Sequence, residues 1–193
     1  MTSIQIHSEG FLLGRLVRLT SEQKHDQGLI ADLLKWRLAS STNFISQASG
    51  VFEDTRTWLH GLLASDGGFW LIVLPDGRRV GHIGIKVTGS ELELDNLLRG
   101  EKGGGSKLMS AACKALIREL PKMFDQSVLV NHTFEDNRAV VRMHLELGFK
   151  TVTKTPMEKT IGEGGLWRWV PSTQNPSRTL LTMKLKIFNR IFE

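Results

Sequence analysis

Along the chain the spacing of apolar residues switches between two and three-to-four, and each switch marks an element. Residues 11–20, with Leu13, Leu16, Val17 and Leu19, read as an extended segment ending in a strand. Residues 21–39 take the helical period: Leu29, Ile30, Leu33, Leu34 and Trp36 share one face, and Thr20 or Ser21 stands where a cap belongs. A looser polar stretch over 40–50 follows, and a shorter helix over 54–63 turns Trp58, Leu59, Leu62 and Leu63 toward the core. The clearest β signal comes next. Residues 69–74 are apolar and aromatic, Pro75-Asp76-Gly77 is a turn, and 79–87 alternate Val80, His82, Gly84 and Lys86 against Gly81, Ile83, Ile85 and Val87. After a turn at Thr88-Gly89-Ser90, residues 91–98 set Leu92 and Leu94 against Glu91, Glu93 and Asp95. These three strands predict an antiparallel meander.

Beyond a glycine-rich turn, residues 106–120 carry Leu108, Met109, Ala112, Cys113, Leu116, Ile117 and Leu120 on one helical face, and Pro121 stops the helix. Val128, Leu129 and Val130 make 127–133 a fully buried strand. A helix over about 136–147 closes at Gly148, a left-handed cap, before a strand over 149–153. Residues 161–166 read as a loop and 178–187 as the last strand. The apolar and basic residues from Leu181 to Phe192, including Lys184, Lys186 and Arg190, suit a core strand with a short tail better than a membrane-surface segment. The order β, α, α, β, β, β, α, β, α, β, β predicts an α/β (α+β) fold, a mixed and mostly antiparallel central sheet of about seven strands with helices on both faces. With 193 residues and no internal repeat, one domain is expected over 1–193, its core spanning about 11–187.

Composition narrows the function. A 40% hydrophobic content is enough for a core without staples. Lys+Arg 25 against Asp+Glu 20 gives a net charge of +5, spread along the chain, which suits a polyphosphate ligand, nucleic acid or anionic lipid alike. Nucleic acid is disfavoured, because no aromatic-studded strand face or recognition-helix pattern is present. The one cysteine, Cys113, excludes an internal disulfide and a cysteine-rich metal site, so a reducing, cytoplasmic setting is expected. No pair of histidines has the helical spacing of metal ligands, and no metal is expected. The N-terminal residues lack the pattern of a secretory signal, and no window reaches the ~18 apolar residues of a membrane span.

Arg99-Gly100-Glu101-Lys102-Gly103-Gly104-Gly105-Ser106 lies between a strand and a helix, where first-turn N–H groups are unpaired and the helix dipole is positive. Such a turn is either a mobile loop or an anion cradle, with Lys102 and Lys107 adding charge. It is not a phosphate-binding P-loop, since Gly105 is followed by Ser106 and then Lys107, the reverse of the required order. Nor is it a dinucleotide fingerprint: Leu108 stands where the third glycine belongs, and the preceding strands form a meander.

Residues 94–116, together with Asn137 to Phe149 (NRAVVRMHLELGF), make the chain resemble the GNAT superfamily of acyl-CoA-dependent N-acetyltransferases; the later helix there commonly reads N-x-x-A-I-x-L-Y-E-K-L-G-F. The resemblance covers most of the chain and implies acetyl-CoA as co-substrate. It places the pantetheine arm along the backbone of Leu97 and Leu98. It surrounds the phosphates with Arg99, Gly103, Gly104, Gly105, Ser106 and Lys107, and brings Asn137 to the arm from the other side. Two departures stand out. The family turn reads Gln/Arg-x-x-Gly-x-Gly/Ala, whereas here Gly100 holds the first position and Arg99 comes one residue early. The tyrosine that the family often uses to protonate the leaving thiolate is replaced by His144, in a chain with no tyrosine at all.

Acetyl transfer needs an uncharged amine, a stabilised oxyanion and a proton for sulfur. Asp95 is the first candidate base, with Glu93 second and His82 third; His144 is the candidate acid, and a backbone N–H near Leu98 the oxyanion donor. Each has a plainer alternative, a solvated carboxylate face or a packed histidine. Trp36, Arg37 and the polar loop after them resemble the acceptor side of the branch acting on ribosomal-protein N-termini or nucleotide-linked amino sugars. Arg37 is suited to an anionic group, whereas Trp36 taken by itself continues the apolar stripe and reads as core. The expected function is acetyl transfer from acetyl-CoA to a primary amine, small-molecule or peptide, by direct attack in a ternary complex, in a monomer or homodimer. Cys113, on the buried helix face, is not the nucleophile. The alternative is a non-catalytic acyl-CoA-binding or interaction module on the same fold.

Overall fold

Period-two alternation builds the centre of the molecule, and pairing with that centre recruits strands whose own pattern is weak. The computed structural model describes residues 3–187. Its strands are β1 (Ser3–Ser8), β2 (Phe11–Arg18), β3 (Gly68–Val73), β4 (Arg79–Thr88), β5 (Glu91–Arg99), β6 (Val128–Phe134), β7 (Lys150–Ile161), β8 (Trp167–Pro171) and β9 (Arg178–Lys186). Its helices are α1 (Gln27–Ala39), α2 (Phe52–Leu63), α3 (Leu108–Glu119) and α4 (Arg138–Glu146). One sheet runs β1-β2-β3-β4-β5-β6-β9-β7-β8. Every pairing is antiparallel except β5 with β6.

The sheet has nine strands, not the expected seven or so. The first addition, β1, offers only Ile4 and Ile6 as apolar positions; it is held by a hairpin whose turn residues, Glu9 (φ 53) and Gly10 (φ 83), are both left-handed. The second, β8, pairs with β7 from Met157↔Pro171 to Ile161↔Trp167, in a stretch where polar residues hide the alternation. The strand expected over 149–153 is therefore the start of a much longer β7. The first helix also begins later than its period suggests. Thr20 caps a 3₁₀ turn over Ser21–His25, and α1 is capped separately by Asp26, whose Oδ1 accepts from Leu29 N at 2.9 Å. Part of the last apolar segment, Phe188 to Phe192, lies outside the described residues.

Two cores flank the sheet. On one face α1 and α2 bury Leu29, Ile30, Leu33, Trp36 and Leu59 against Phe69, Leu71 and Val73; on the other, α3 buries Leu108, Ala112, Cys113 and Leu116 against Trp70, Ile72, Leu92 and Leu94. A bulge in β5 links the two. Pairing with β4 runs Ile85↔Leu94 and Gly84↔Asp95, then resumes at His82↔Leu98, leaving Asn96 and Leu97 opposite Ile83. Asn96 takes φ 50 there. The extra residue reverses the alternation, so that Leu97 packs on the α3 side while Leu98 joins the α1–α2 core. Among the described residues no helix is long and apolar enough to cross a membrane.

Candidate active site

The site forms where β5 and β6 part. Their parallel pairing is confined to Leu92↔Leu129 and Glu93↔Val130. At the next position Asn131 acts as a wedge: its Nδ2 donates to Leu94 O at 3.0 Å, taking the bond a continuing ladder would have made, while its buried Oδ1 has no partner. Beyond it the strands enclose a cleft of about 460 Å³, lined by Glu93 to Arg99 on one side, Asn131 to Thr133 on the other, and by Asn137 and Val140 of the α4 region. Asn137 makes no side-chain cap to its own helix, which leaves its amide available to the cleft.

The cleft continues into a groove of about 730 Å³ between α3 and α4, the two sharing Leu97, Arg99 and Val140. Ser106, Lys107, Lys114 and Arg142 line it, joined by His7 and Glu9 from the β1–β2 hairpin. At its end, where Ser106 and Lys107 line it, the groove meets the glycine turn, packed on Leu74 and Leu108 at Gly103 and Gly104 and open at Gly105. Gly103, Gly104 and Gly105 all have positive φ, and a Cβ on Gly105 would meet nothing within 4 Å. The helix that follows has no side-chain cap, so its first N–H groups remain for an anion. The donor set suits a polyphosphate with an extended arm, the phosphates on the turn and the arm along β5.

Three residues of the turn hold it in shape. Arg99 donates from Nη2 to Gly103 O at 2.7 Å and from Nε to Glu101 O at 3.3 Å, bracing the loop from within. Glu101 accepts from Trp36 Nε1 at 3.1 Å and Lys35 Nζ at 2.6 Å, and Lys35 foremost holds its carboxyl below the usual range. Gly100 lies under the Trp36 indole, where a Cβ would come within 2.1 Å of the ring. Trp36, 1% exposed, is thus a core residue that locks the turn to α1. Lys107 is ion-paired with Glu9.

On the α1–α2 face the cleft opens into a side pocket of about 320 Å³, with Arg37, Ser46, Trp58 and Asn96 common to both. Trp58, expected in the core, is 38% exposed and forms a wall. The opposite wall, the 44–49 segment, is fastened to β8 by Gln47 N to Trp167 O (2.9 Å) and Trp169 N to Ile45 O (2.7 Å). Arg178 secures the same region, reaching Thr42 O at 2.8 Å and Asp136 Oδ2 at 2.9 Å. One of the two unexpected strands, β8, thus supports the site.

Asp95 and Glu93 both line the cleft, and neither forms an ion pair among the described residues, whereas Glu91 is paired with Lys184 at 2.5 Å. Asp95 is oriented by its neighbour, accepting from Asn96 N and Asn96 Nδ2, each at 2.7 Å. His82, 3% exposed, lies between Trp36 and Phe69. Burial lowers its pKa to about 4 despite its bond to Asn96, so the ring is neutral near pH 7. Its Nδ1 lies 2.5 Å from Asn96 O and must be the protonated nitrogen, leaving the Nε2 lone pair on a ring that lines the side pocket.

His144 is not brought to this cluster. It is fully buried on the inner face of α4, edge-on to Phe149, and neither ring nitrogen has a partner among the described residues. Burial lowers its pKa to about 4. Cys113 is also fully buried, its thiol pushed up to about 12 by burial alone. Sequence reasoning missed Asn131 and Asn96; the first was visible as the polar residue that ends the apolar run Val128-Leu129-Val130 within its strand, while the second depends on the bulge. No group of three or more metal-ligating side chains occurs among the described residues.

A model of the acetyltransferase (GNAT) domain matches residues 24–150, more than half of the chain. Solved structures give the same architecture at low identity. A probable GNAT-family acetyltransferase from Chromobacterium violaceum superposes with a TM-score of 0.67 at 12% identity, over 98% of this chain and 89% of that one. Spermidine N-acetyltransferase from Vibrio cholerae, in complex with CoA and spermine, gives 0.68 at 11%, over 89% and 94%. A ribosomal-protein-alanine N-acetyltransferase from Brucella melitensis gives 0.65 at 16%, over 89% and 98%. A comparison with curated proteins finds no match.

Proposed function

The chain belongs to the GNAT family of acyl-CoA-dependent acetyltransferases, and we propose that it moves the acetyl group of acetyl-CoA to a primary amine by direct attack within a ternary complex. One observation carries this reading: an uncapped helix N-terminus behind three glycines of positive φ borders a groove that adjoins, through Leu97, Arg99 and Val140, the cleft at the parting of β5 and β6, where Glu93 and Asp95 have no ion pair among the described residues.

Acetyl-CoA supplies the activated acyl group. The backbone N–H groups at the start of α3, with Ser106 and Lys107, hold its phosphates, while Leu97, Leu98 and Asn137 flank its arm. Asp95, held by Asn96, accepts the proton of the incoming ammonium directly or through one water, with Glu93 as the nearby second carboxylate. A backbone N–H at Leu98 or its neighbour faces the charge that grows on the carbonyl oxygen. As the C–N bond forms the C–S bond breaks, and the second proton shed by the attacking nitrogen passes through water to the thiolate. His144 does not fill that role in this reading, because it is sealed from the cleft and unprotonated at neutral pH. A buried thiol held near 12 likewise disfavours a route through Cys113.

The wall of Trp58 and the 44–49 segment borders the space open to an acceptor amine, and a protein N-terminus and a nucleotide-linked amino sugar are the two classes to screen first. Calorimetric titration with acetyl-CoA, beside desulfo-CoA and ATP, tests the reading. Micromolar binding that requires the arm, on the order of −8 kcal/mol, and amine-dependent thiol release are expected. Asp95→Asn is expected to lower kcat by roughly 10²-fold with acetyl-CoA affinity retained. Binding without turnover of any amine selects the non-catalytic module instead, and absence of binding rejects both.

A further inference from the structure

Arg37 occupies the junction of the cleft and the side pocket and lines both. Its guanidinium carbon sits 3.3 Å from the centre of the Phe44 ring, and Nη2 donates to Ser46 O at 3.3 Å. Those contacts fix the plane of the group. They leave most of its five N–H donors unused, and it forms no ion pair among the described residues. Every other arginine bordering the cleft or its groove is engaged: Arg99 on carbonyls of its own turn, Arg142 on Glu146. Burial pulls the Arg37 pKa down to about 10, which leaves it charged at neutral pH. The guanidinium is half-buried and has no counter-ion among the described residues, so an anion entering the pocket gains a charge-assisted partner there.

The same space carries acidic groups. Asp54 lines the side pocket, while Asp95 lines the cleft and is near enough to Arg37 to act on its charge, but not to pair with it. His82 adds a neutral lone pair at Nε2. The side pocket of about 320 Å³ therefore presents the Arg37 cation and the Asp54 carboxylate, with Asp95 in the adjoining cleft that Arg37 also lines.

Building on the acetyltransferase reading, we propose that the acceptor is a small zwitterionic amine, whose carboxylate or phosphate pairs with Arg37 while its ammonium turns to Asp95. A polyamine would set a second cation against Arg37. A C-terminally amidated peptide would leave Arg37 unpaired.

The test measures thiol release by the full chain at saturating acetyl-CoA, with matched acceptors: alanine against alaninamide for the carboxylate, O-phosphoethanolamine against ethanolamine for the phosphate, and spermidine and tri-alanine amide as cationic and peptide competitors. The anionic member of at least one pair is expected to exceed its neutral partner at least tenfold in kcat/KM, and the pair that does so identifies the anion. In Arg37→Gln that ratio should fall below threefold, and Arg37→Lys should recover part of it; thermal melts establish that both variants fold. The proposal is overturned by ratios near one, by preference for spermidine or the amidated peptide, by an equal loss for both members of the pair in Arg37→Gln, or by no turnover of any anionic member in a protein that binds acetyl-CoA. Failure to bind acetyl-CoA is a different result, and it removes the acetyltransferase reading beneath the proposal.

Discussion

Replacing His144 by leucine is expected to stabilise the protein, and by more at acid pH than at neutral. The imidazole is fully buried with neither nitrogen hydrogen-bonded. At neutral pH the substitution removes an unsatisfied polar group, worth about 1–3 kcal/mol, and keeps a side chain of similar volume. Acid adds a second contribution. Burial lowers the folded-state pKa to about 4, against about 6.5 in the unfolded chain, so between these values the unfolded state takes up a proton that the folded state refuses. The stability is complete above pH 6.5 and is lost as the pH falls toward 4. At pH 5.0 this linkage amounts to about 2 kcal/mol for His144, approaching about 3 kcal/mol below pH 4. His82 carries a similar shift, again through burial, so the wild type loses this amount twice and His144→Leu loses it once. Urea unfolding followed by tryptophan fluorescence at pH 7.5 and 5.0, for both proteins, isolates the difference, since carboxylate contributions are common to both. Equal losses between the two pH values would refute the argument and mean that His144 has a partner or water in the folded state.

Three further outcomes follow from the same contacts. Gly100→Ala would drive a methyl into the Trp36 ring, at 2.1 Å, and should destabilise the fold by about 1–3 kcal/mol in urea while weakening acetyl-CoA binding, because Trp36 and Glu101 no longer brace the turn; an unchanged midpoint would show that the indole moves freely. Glu9→Gln releases Lys107 from its ion pair and should tighten acetyl-CoA binding by about two- to fivefold at low salt, with the gain shrinking at 0.5 M salt on the scale set by screening; calorimetry that shows equal affinities would exclude Lys107 from the phosphate site. Cys113 should resist iodoacetamide under native conditions, and Cys113→Ala should retain activity, since the thiol is sealed and its pKa raised; rapid alkylation with loss of turnover would reinstate it.

Most of the centre of the fold was legible because each central strand has to hide one face. The meander of β3, β4 and β5 and the stripes of α1 and α3 follow from apolar spacing alone, and Leu92, Leu94, Leu108 and Leu116 all lie where that spacing puts them. What escaped was structure stabilised by pairing: in β1 the alternation is only two apolar residues long, and the long β7 is mostly polar, so backbone bonds to neighbouring strands hold them where the pattern is short or weak. The site divides along the same line. Residues carrying chemistry in their own side chains, Asp95, Arg37 and His82, could be chosen from the sequence, and the structure gathers them around the cleft and its side pocket. Residues that act through backbone conformation could not. Asn96 matters because φ 50 lets a bulge reverse the strand, which carries Leu98 into the α1–α2 core and turns a carbonyl to His82. Trp36 shows the two signals apart: the apolar stripe reads it as core, the family resemblance sets it on the acceptor side, and its indole is committed to Gly100 and Glu101. The sequence distance between those partners is what hid the role, since a helix residue and a turn more than sixty positions later share no local pattern. The glycines of the turn, neighbours in the sequence, divide in the structure into two groups with different duties. Gly100 admits an indole, while Gly103 to Gly105 supply the left-handed backbone that leaves the start of α3 open to an anion.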